Sequence, residues 1–537
     1  MKKIFLSIAL LCAASWVAPT VATAQNLVPI PLKMASAQGQ PLVWQNVGQI
    51  NCPDELANEK AHLLRILADR AGVTTLNDNG TAQITLSIDT SLSDDEAYTL
   101  SIDENGVNIA GKTAAGVFYG IMTMEQLMID DNASARCIET NPITIEDAPR
   151  THVRELMVDP CRIFVPYERL KEIVPEMARY KLNSIHLHLV DDQAWRIEIK
   201  KYPQLIEKST SRVGMDDMLI PISGYYTQEQ MKDFVKYCAQ YHVMVVPEIE
   251  MPGHEVAAVH AFPELTCGGK QVPIRTTCGV SNELLCPGNE FTYEFLGNVF
   301  RELADVFPCK YVHLGGDEAG NPALDCWTTC EKDKKLKKKL GITTTDRSEN
   351  WKLQKYMFDR IIDTLRTKYD KEPMFWYETD FKEIQEGCVT FAWRNGLTEP
   401  AVQAAIDNNA KIMMCPGDYC YFDYPMASGD MPEVNWGMPV RTFETVYQFD
   451  PGWGKGEEFE KNNLFGVAGT LWSESINSPE RIFYQAYPRS LILAEAGWSA
   501  QKNRSWKGFL KRSRPLMLDL QHRGITFSMP TEYIDLQ

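Results

Sequence analysis

After Arg150 the chain repeats one pattern eight times: a short apolar run, a polar turn and, in most cases, an amphipathic stretch with apolar residues three and four apart. The runs are Glu155–Val158, Ser184–Val190, Val243–Ile249, Tyr311–Leu314, Met374–Tyr377, Val389–Trp393, Lys411–Cys415 and Gly466–Trp472. Tyr167–Tyr180, Gln228–Tyr241, Glu290–Val306, Glu349–Thr367 and Glu399–Asn408 read as helices between them. Eight strand–helix units close into a barrel of parallel strands. The spacing therefore predicts an α/β fold, a (β/α)8 TIM barrel over residues 151–537 that ends in a helical tail. The 417–464 connection is long for such a unit and predicts an extra helix or lid.

The 25–150 segment has a different rhythm. A helical stretch Glu55–Ala71 precedes strand-like runs Ala82–Ile88, Ala97–Ile102 and Val107–Ala110, with a turn at Asn105-Gly106, and Ala114–Met128 reads as a closing helix. This predicts a small α+β domain in front of the barrel.

Barrel enzymes build their sites from residues at the C-terminal ends of the strands, and these ends are chemically loaded. The first run leads into Asp159 and Arg162, the second into Asp191-Asp192, the third into Glu248 and then His254, and the fourth into Asp317-Glu318. The fifth ends at Trp376 and Glu378, the sixth at Trp393-Arg394, the seventh leads to Tyr421 and Asp423, and the eighth ends at Trp472 and Glu474. Indoles stack on the apolar C–H faces of a sugar while carboxylates and guanidinium groups meet its hydroxyls. In His313-Leu314-Gly315-Gly316-Asp317-Glu318, two adjacent acids sit where a strand breaks into a loop. Two neighbouring carboxyls cannot both ionise cheaply, so one keeps a proton near neutral pH, and a proton donor beside an anion is the working pair of glycoside hydrolysis.

A net charge of −17 disfavours nucleic acid and anionic membranes as partners, since both recruit Lys and Arg. At the N-terminus, Lys2 and Lys3 precede an apolar run from Ile4 to about Val17, and Ala22-Thr23-Ala24 has the small residues of a cleavage site. This predicts a signal peptide over residues 1–24, a mature chain from Gln25 and an exported protein, with no later segment apolar enough for an integral membrane span. Thirteen cysteines remain after that cleavage, an odd number. Cys267, Cys278 and Cys286 crowd one loop, while Cys326 and Cys330 lie four apart, and in an exported protein close cysteines first suggest disulfides. Zinc is disfavoured because no His accompanies them at ligand spacing.

These residues resemble glycoside hydrolase family 20, the β-N-acetylhexosaminidases. The likeness is carried by Arg154-x4-Asp159-x2-Arg162, the run His186–Arg196, Pro247–His254, His313–Glu318 and Gly469–Glu474, and Tyr98–Leu127 resembles the domain that precedes the barrel in this family. The resemblance implies retaining, exo-acting removal of a terminal β-linked N-acetylhexosamine, with the substrate's own acetamido oxygen as nucleophile and no cofactor or metal. It implies Glu318 as general acid and base, and Asp317 as the anion that orients the acetamido N–H. Asp191 and His254 would tune Glu318. Tyr421 would hold the acetamido carbonyl, Arg162 and Glu474 would grip O3 and O4, and Asp423 would meet O4 or O6. Trp376, Trp393 and Trp472 would wall the pocket. The chain departs from the family pattern at Glu155 and Ile163, two positions expected beside the site.

Three alternatives stand beside this reading. One is an enzyme of the same chemistry that releases a disaccharide, and another is a non-catalytic carbohydrate-binding protein on a degenerate barrel. The third is a metal-dependent hydrolase, which the lone His186-x-His188 pair, placed within a strand, supports poorly.

Overall fold

The computed structural model describes residues 26–129, 136–214, 221–319, 326–342, 347–379, 383–430, 435 and 437–536. The proposed leader lies outside them. Eight parallel strands form a closed barrel: β1 (Val153–Val158), β2 (Ser184–His188), β3 (Met244–Glu248), β4 (Tyr311–His313), β5 (Glu372–Trp376), β6 (Val389–Ala392), β7 (Lys411–Met414) and β8 (Leu464–Leu471). β8 returns to pair with β1, with Gly466 opposite Val153 and Leu471 opposite Val158. Nearly every strand residue is buried, because helices cover the outside and side chains fill the inside.

The crossover helices are α1 (Tyr167–Arg179), α2 (Gln228–Ala239), α3 (Glu290–Val306), α4 (Trp351–Tyr369), α5 (Thr398–Asp407) and α6 (Arg489–Trp498), followed by α7 (Trp506–His522). Sequence sets their starts. Thr227 and Gln230 form a reciprocal capping box at α2, and the Asn289 side chain accepts the first-turn N–H of Phe291 at α3. The 417–464 connection carries short helices at Gly417–Cys420, Phe443–Tyr447 and Glu457–Asn462, and its residues 431–434 and 436 lie outside the described set.

The N-terminal domain is one six-stranded sheet in the order Lys33–Ser36, Ile143–Asp147, Tyr98–Asp103, Gly106–Gly111, Ala82–Ile88, Val47–Asn51. The turn falls one residue earlier than its sequence signal, since Gly106 already pairs with Asp103. Helix Ala114–Leu127 is buried almost all round because it packs on this sheet and also faces α1. Asp147 is a polar pin between the domains: it takes hydrogen bonds from Tyr98 Oη at 2.7 Å, Lys181 Nζ at 2.9 Å and Trp498 Nε1 at 2.9 Å. Arg154, at the start of the resemblance motif, also serves this junction through Glu96 at 2.6 Å and the face of Trp498.

Candidate active site

The loop after β4 is shaped by Gly315. Its φ is +62°, and a Cβ placed there would come within 1.7 Å of the Glu250 carboxylate. Only glycine fits both demands. The turn then presents Asp317 and Glu318 at the barrel mouth, with Glu318 itself left-handed at φ 58°. His254, on the loop after β3, is likewise left-handed at φ 52°. Non-glycine residues held in this region mark sites where the surrounding structure imposes the backbone.

A cavity of about 540 Å³ opens at this face. Asp317, Glu318 and His254 line it together with Arg162, Glu474 and Asp423. Trp376, Trp393, Trp472 and Tyr421 complete its aromatic side. Asp191 alone of the expected residues does not line it; fully buried, it stands behind His254. The structure thus places ten of the eleven expected residues around one space and the eleventh next to it.

His254 Nε2 is 3.3 Å from Glu318 and 3.8 Å from Asp317, and its Nδ1 is 3.3 Å from Asp191. Asp191 in turn takes Arg162 Nη2 at 2.6 Å and His188 Nε2 at 2.8 Å. Burial would raise the Asp191 carboxyl, but Arg162 and His254, with the His188 bond, hold it well below the ordinary range. Burial would lower His254, yet Asp191 and Asp317 keep it protonated well above the usual imidazole value. As an imidazolium it donates from both nitrogens.

The two adjacent carboxyls differ from the sequence expectation. Asp317 is raised by burial, with His254 opposing and Glu318 and Glu248 reinforcing. Burial would raise Glu318 too, but the bond and charge of His254, with Arg394 and Arg162, hold it below its ordinary value. The proton therefore favours His254 and Asp317 over Glu318, the reverse of a protonated Glu318 beside an Asp317 anion. The causes are burial, which raises Asp317, and His254, which sits closer to Glu318 than to Asp317.

At the opposite wall Arg162 reaches Asp159 at 3.1 Å and Glu474 at 3.7 Å. Asp423 is raised well above the carboxylate range by burial, with Glu474 adding to it, and its Oδ1 has no protein partner among the described residues. Asp317 Oδ1 is also buried, and the Asp317 side chain shares a hydrogen bond with Glu250. Both residues line the cavity, where a polar ligand can meet their carboxyls. Trp376, 1% exposed, stands on Glu248 through an indole N–H bond of 2.8 Å and packs against Trp472, whose ring centroid is 5.7 Å away.

Glu248 is a support that sequence reading underused. It takes His186 at 3.0 Å, His188 at 2.6 Å and His313 at 2.8 Å, and these imidazoles hold it ionised against its burial. His186 and His188 alternate onto the same strand face and both point into the barrel, as their spacing predicts. Glu155, expected beside the site, lies deeper in the barrel on Ser184 and His186, at 2.7 and 3.2 Å. Ile163 donates its backbone N–H to Ser473 Oγ. Cys278, Gly279 and Val280 form a further wall that no sequence signal marked. Glu378 is pushed up to about 7 by burial against the pull of Arg394, and accepts the Glu318 backbone N–H.

A closed eight-stranded barrel with a carboxyl pair, a histidine relay and an aromatic pocket at its C-terminal face defines a glycoside hydrolase. Comparison narrows the class. The catalytic domain of glycosyl hydrolase family 20 matches residues 152–501, and domain 2 of that family matches residues 24–148. The chain belongs to glycosyl hydrolase family 20. It is 35% identical over 460 residues to a β-hexosaminidase of Akkermansia muciniphila, covering 85% of this chain and 87% of that protein. Its fold matches an exo β-N-acetylglucosaminidase of Vibrio harveyi, solved with N-acetylglucosamine, with a TM-score of 0.82 at 27% identity over 95% of this chain and 79% of the other. A Streptomyces plicatus N-acetyl-β-hexosaminidase gives a TM-score of 0.81 at 28% identity, covering 96% and 98%.

Proposed function

We propose that the chain removes a terminal β-linked N-acetylglucosamine or N-acetylgalactosamine from the non-reducing end of glycans, with retention of configuration and with the substrate's acetamido oxygen as nucleophile. The observation that carries this reading is that Asp317 lines the cavity beside Glu318 and its His254–Asp191 relay. An acetamido N–H donating to Asp317 favours the Asp317 anion. That anion, next to Glu318 in a site cleared of water by the sugar, raises the proton affinity of Glu318. Glu318 gives the proton to the glycosidic oxygen as the acetamido oxygen attacks the anomeric carbon and the leaving bond breaks. The oxazolinium N–H then faces the Asp317 charge. Glu318, now ionised, takes a proton from water as its oxygen attacks the same carbon, reopening the ring with two inversions.

Arg162, Glu474 and Asp423 meet the sugar hydroxyls farthest from the leaving group. Because Asp423 and Arg162 are 2% and 4% exposed, that end is closed to a second sugar, which favours release of one unit over release of a disaccharide. The test is a panel of aryl β-glycosides. N-acetylglucosaminides or N-acetylgalactosaminides should be cleaved while the matching glucosides and unacetylated glucosaminides are not; comparable turnover of a plain glucoside contradicts the reading.

Export is supported by Lys2-Lys3, the apolar run after them and Ala22-Thr23-Ala24. Among the described residues no helix is long and apolar enough to cross a membrane. Active protein from the native host should start at or near Gln25, read by N-terminal sequencing, and an intact Met1 contradicts export by cleavage.

A further inference from the structure

Two segments outside the cavity converge on a knot of thiols. Cys267 and Cys286 lie between His254 and α3, and Cys330 caps the helix Glu331–Lys339 that follows the Asp317-Glu318 loop. The Sγ atoms of Cys267, Cys286 and Cys330 and a carboxylate oxygen of Asp333 all lie within 4.8 Å of one another. Cys326 stands beside them, hydrogen-bonded to Cys267. None of these four cysteines is in a disulfide, contrary to the sequence expectation.

The spacing argues for a metal rather than a bond. Cys286 and Cys330 Sγ are 3.8 Å apart. A disulfide requires about 2.05 Å, whereas the edge of a tetrahedron with metal–sulfur bonds of about 2.3 Å is about 3.8 Å. Asp333 supplies an independent observation. It is fully buried, with Cys267 Sγ at 3.0 Å, Cys286 Sγ at 3.4 Å and the Gly288 N–H at 2.7 Å. Among the described residues no Lys, Arg or His pairs with it, so a carboxylate is buried among thiols without a cation.

We propose that Cys267, Cys286, Cys330 and Asp333 form a structural site for a zinc-class divalent cation, with three thiolates and one carboxylate oxygen completing a tetrahedron. Each thiol loses its proton to solvent as the ion binds. A carboxylate takes the place of the histidine whose absence spoke against zinc in the sequence. The site would tie the chain on both sides of Cys278, Gly279 and Val280, which wall the cavity, to the segment that follows Glu318. This clamp holds the cavity wall without touching the reacting atoms.

The experiment is elemental analysis of the full chain purified without chelators, together with cysteine mapping of the native protein. The expected result is one zinc per chain, loss of that zinc in Cys286→Ser and Cys330→Ser but not in the distant Cys52→Ser, and a lower Tm after chelation that added zinc restores. Native alkylation should spare Cys267, Cys286 and Cys330 until the metal is stripped, a readout that holds even where the serine variants fail to fold. Protein that is isolated without metal and takes up no zinc overturns the proposal, as do disulfides that pair these cysteines.

Discussion

His254 faces three carboxylates at once, so its proton sets the state of the site. Replacing it by Asn removes the charge that keeps Glu318 low, and the proton must then be held by carboxyls alone. The wild-type pair retains its proton above the ordinary His value of 6.5, since Asp191 and Asp317 raise His254 against its burial. Only when the pH rises through the raised His254 value, well above 6.5, is the proton the leaving group needs removed, so the alkaline limb of kcat belongs to this pair. In His254→Asn that limb should move to lower pH, with a fall in kcat of roughly 10²-fold or more. A pH–kcat profile checks this, and an unmoved alkaline limb contradicts it. Residue types at strand ends were legible in sequence because the apolar period marks where each strand stops. The order of proton affinities was not, because it depends on how deeply each carboxyl is buried and on a difference between 3.3 and 3.8 Å across a loop.

The β4 loop shows what one element contributes. All eight barrel strands and five crossover helices were readable, since buried strands and amphipathic helices carry strong apolar patterns. Lys33–Ser36, largely exposed, and the edge strand Val47–Asn51 carry little such signal and went unread. The Gly-Gly pair was visible, but its reason, the Glu250 carboxylate filling the space a Cβ would need, lies on another loop. Gly315→Ala should therefore force Glu250 aside and strain a backbone at φ +62°. The expected cost is about 1–3 kcal/mol of stability, read by denaturant unfolding, together with a loss of kcat as Asp317 shifts. Unchanged stability and kcat would show that the loop adapts and that glycine is not required there.

At the scale of the molecule, the barrel and the N-terminal sheet share buried polar contacts through Asp147 and Arg154, so the sheet braces β1 and the barrel around it. At the barrel mouth the ligand itself does part of the chemistry. The chain's acids do not need to form a covalent bond with the sugar; they hold the acetamido group, move one proton and favour a transient cation. Attack by the acetamido oxygen is tested most directly with a series of aryl N-acyl-β-glucosaminides in which the acetyl methyl carries none, one, two or three fluorines. Each fluorine draws electron density from the carbonyl oxygen that the account makes the nucleophile. The expected result is a steep, monotonic fall of kcat/KM across the series with the leaving group held constant. A flat series would show that the acetamido oxygen is not the nucleophile, and substrate assistance would be wrong.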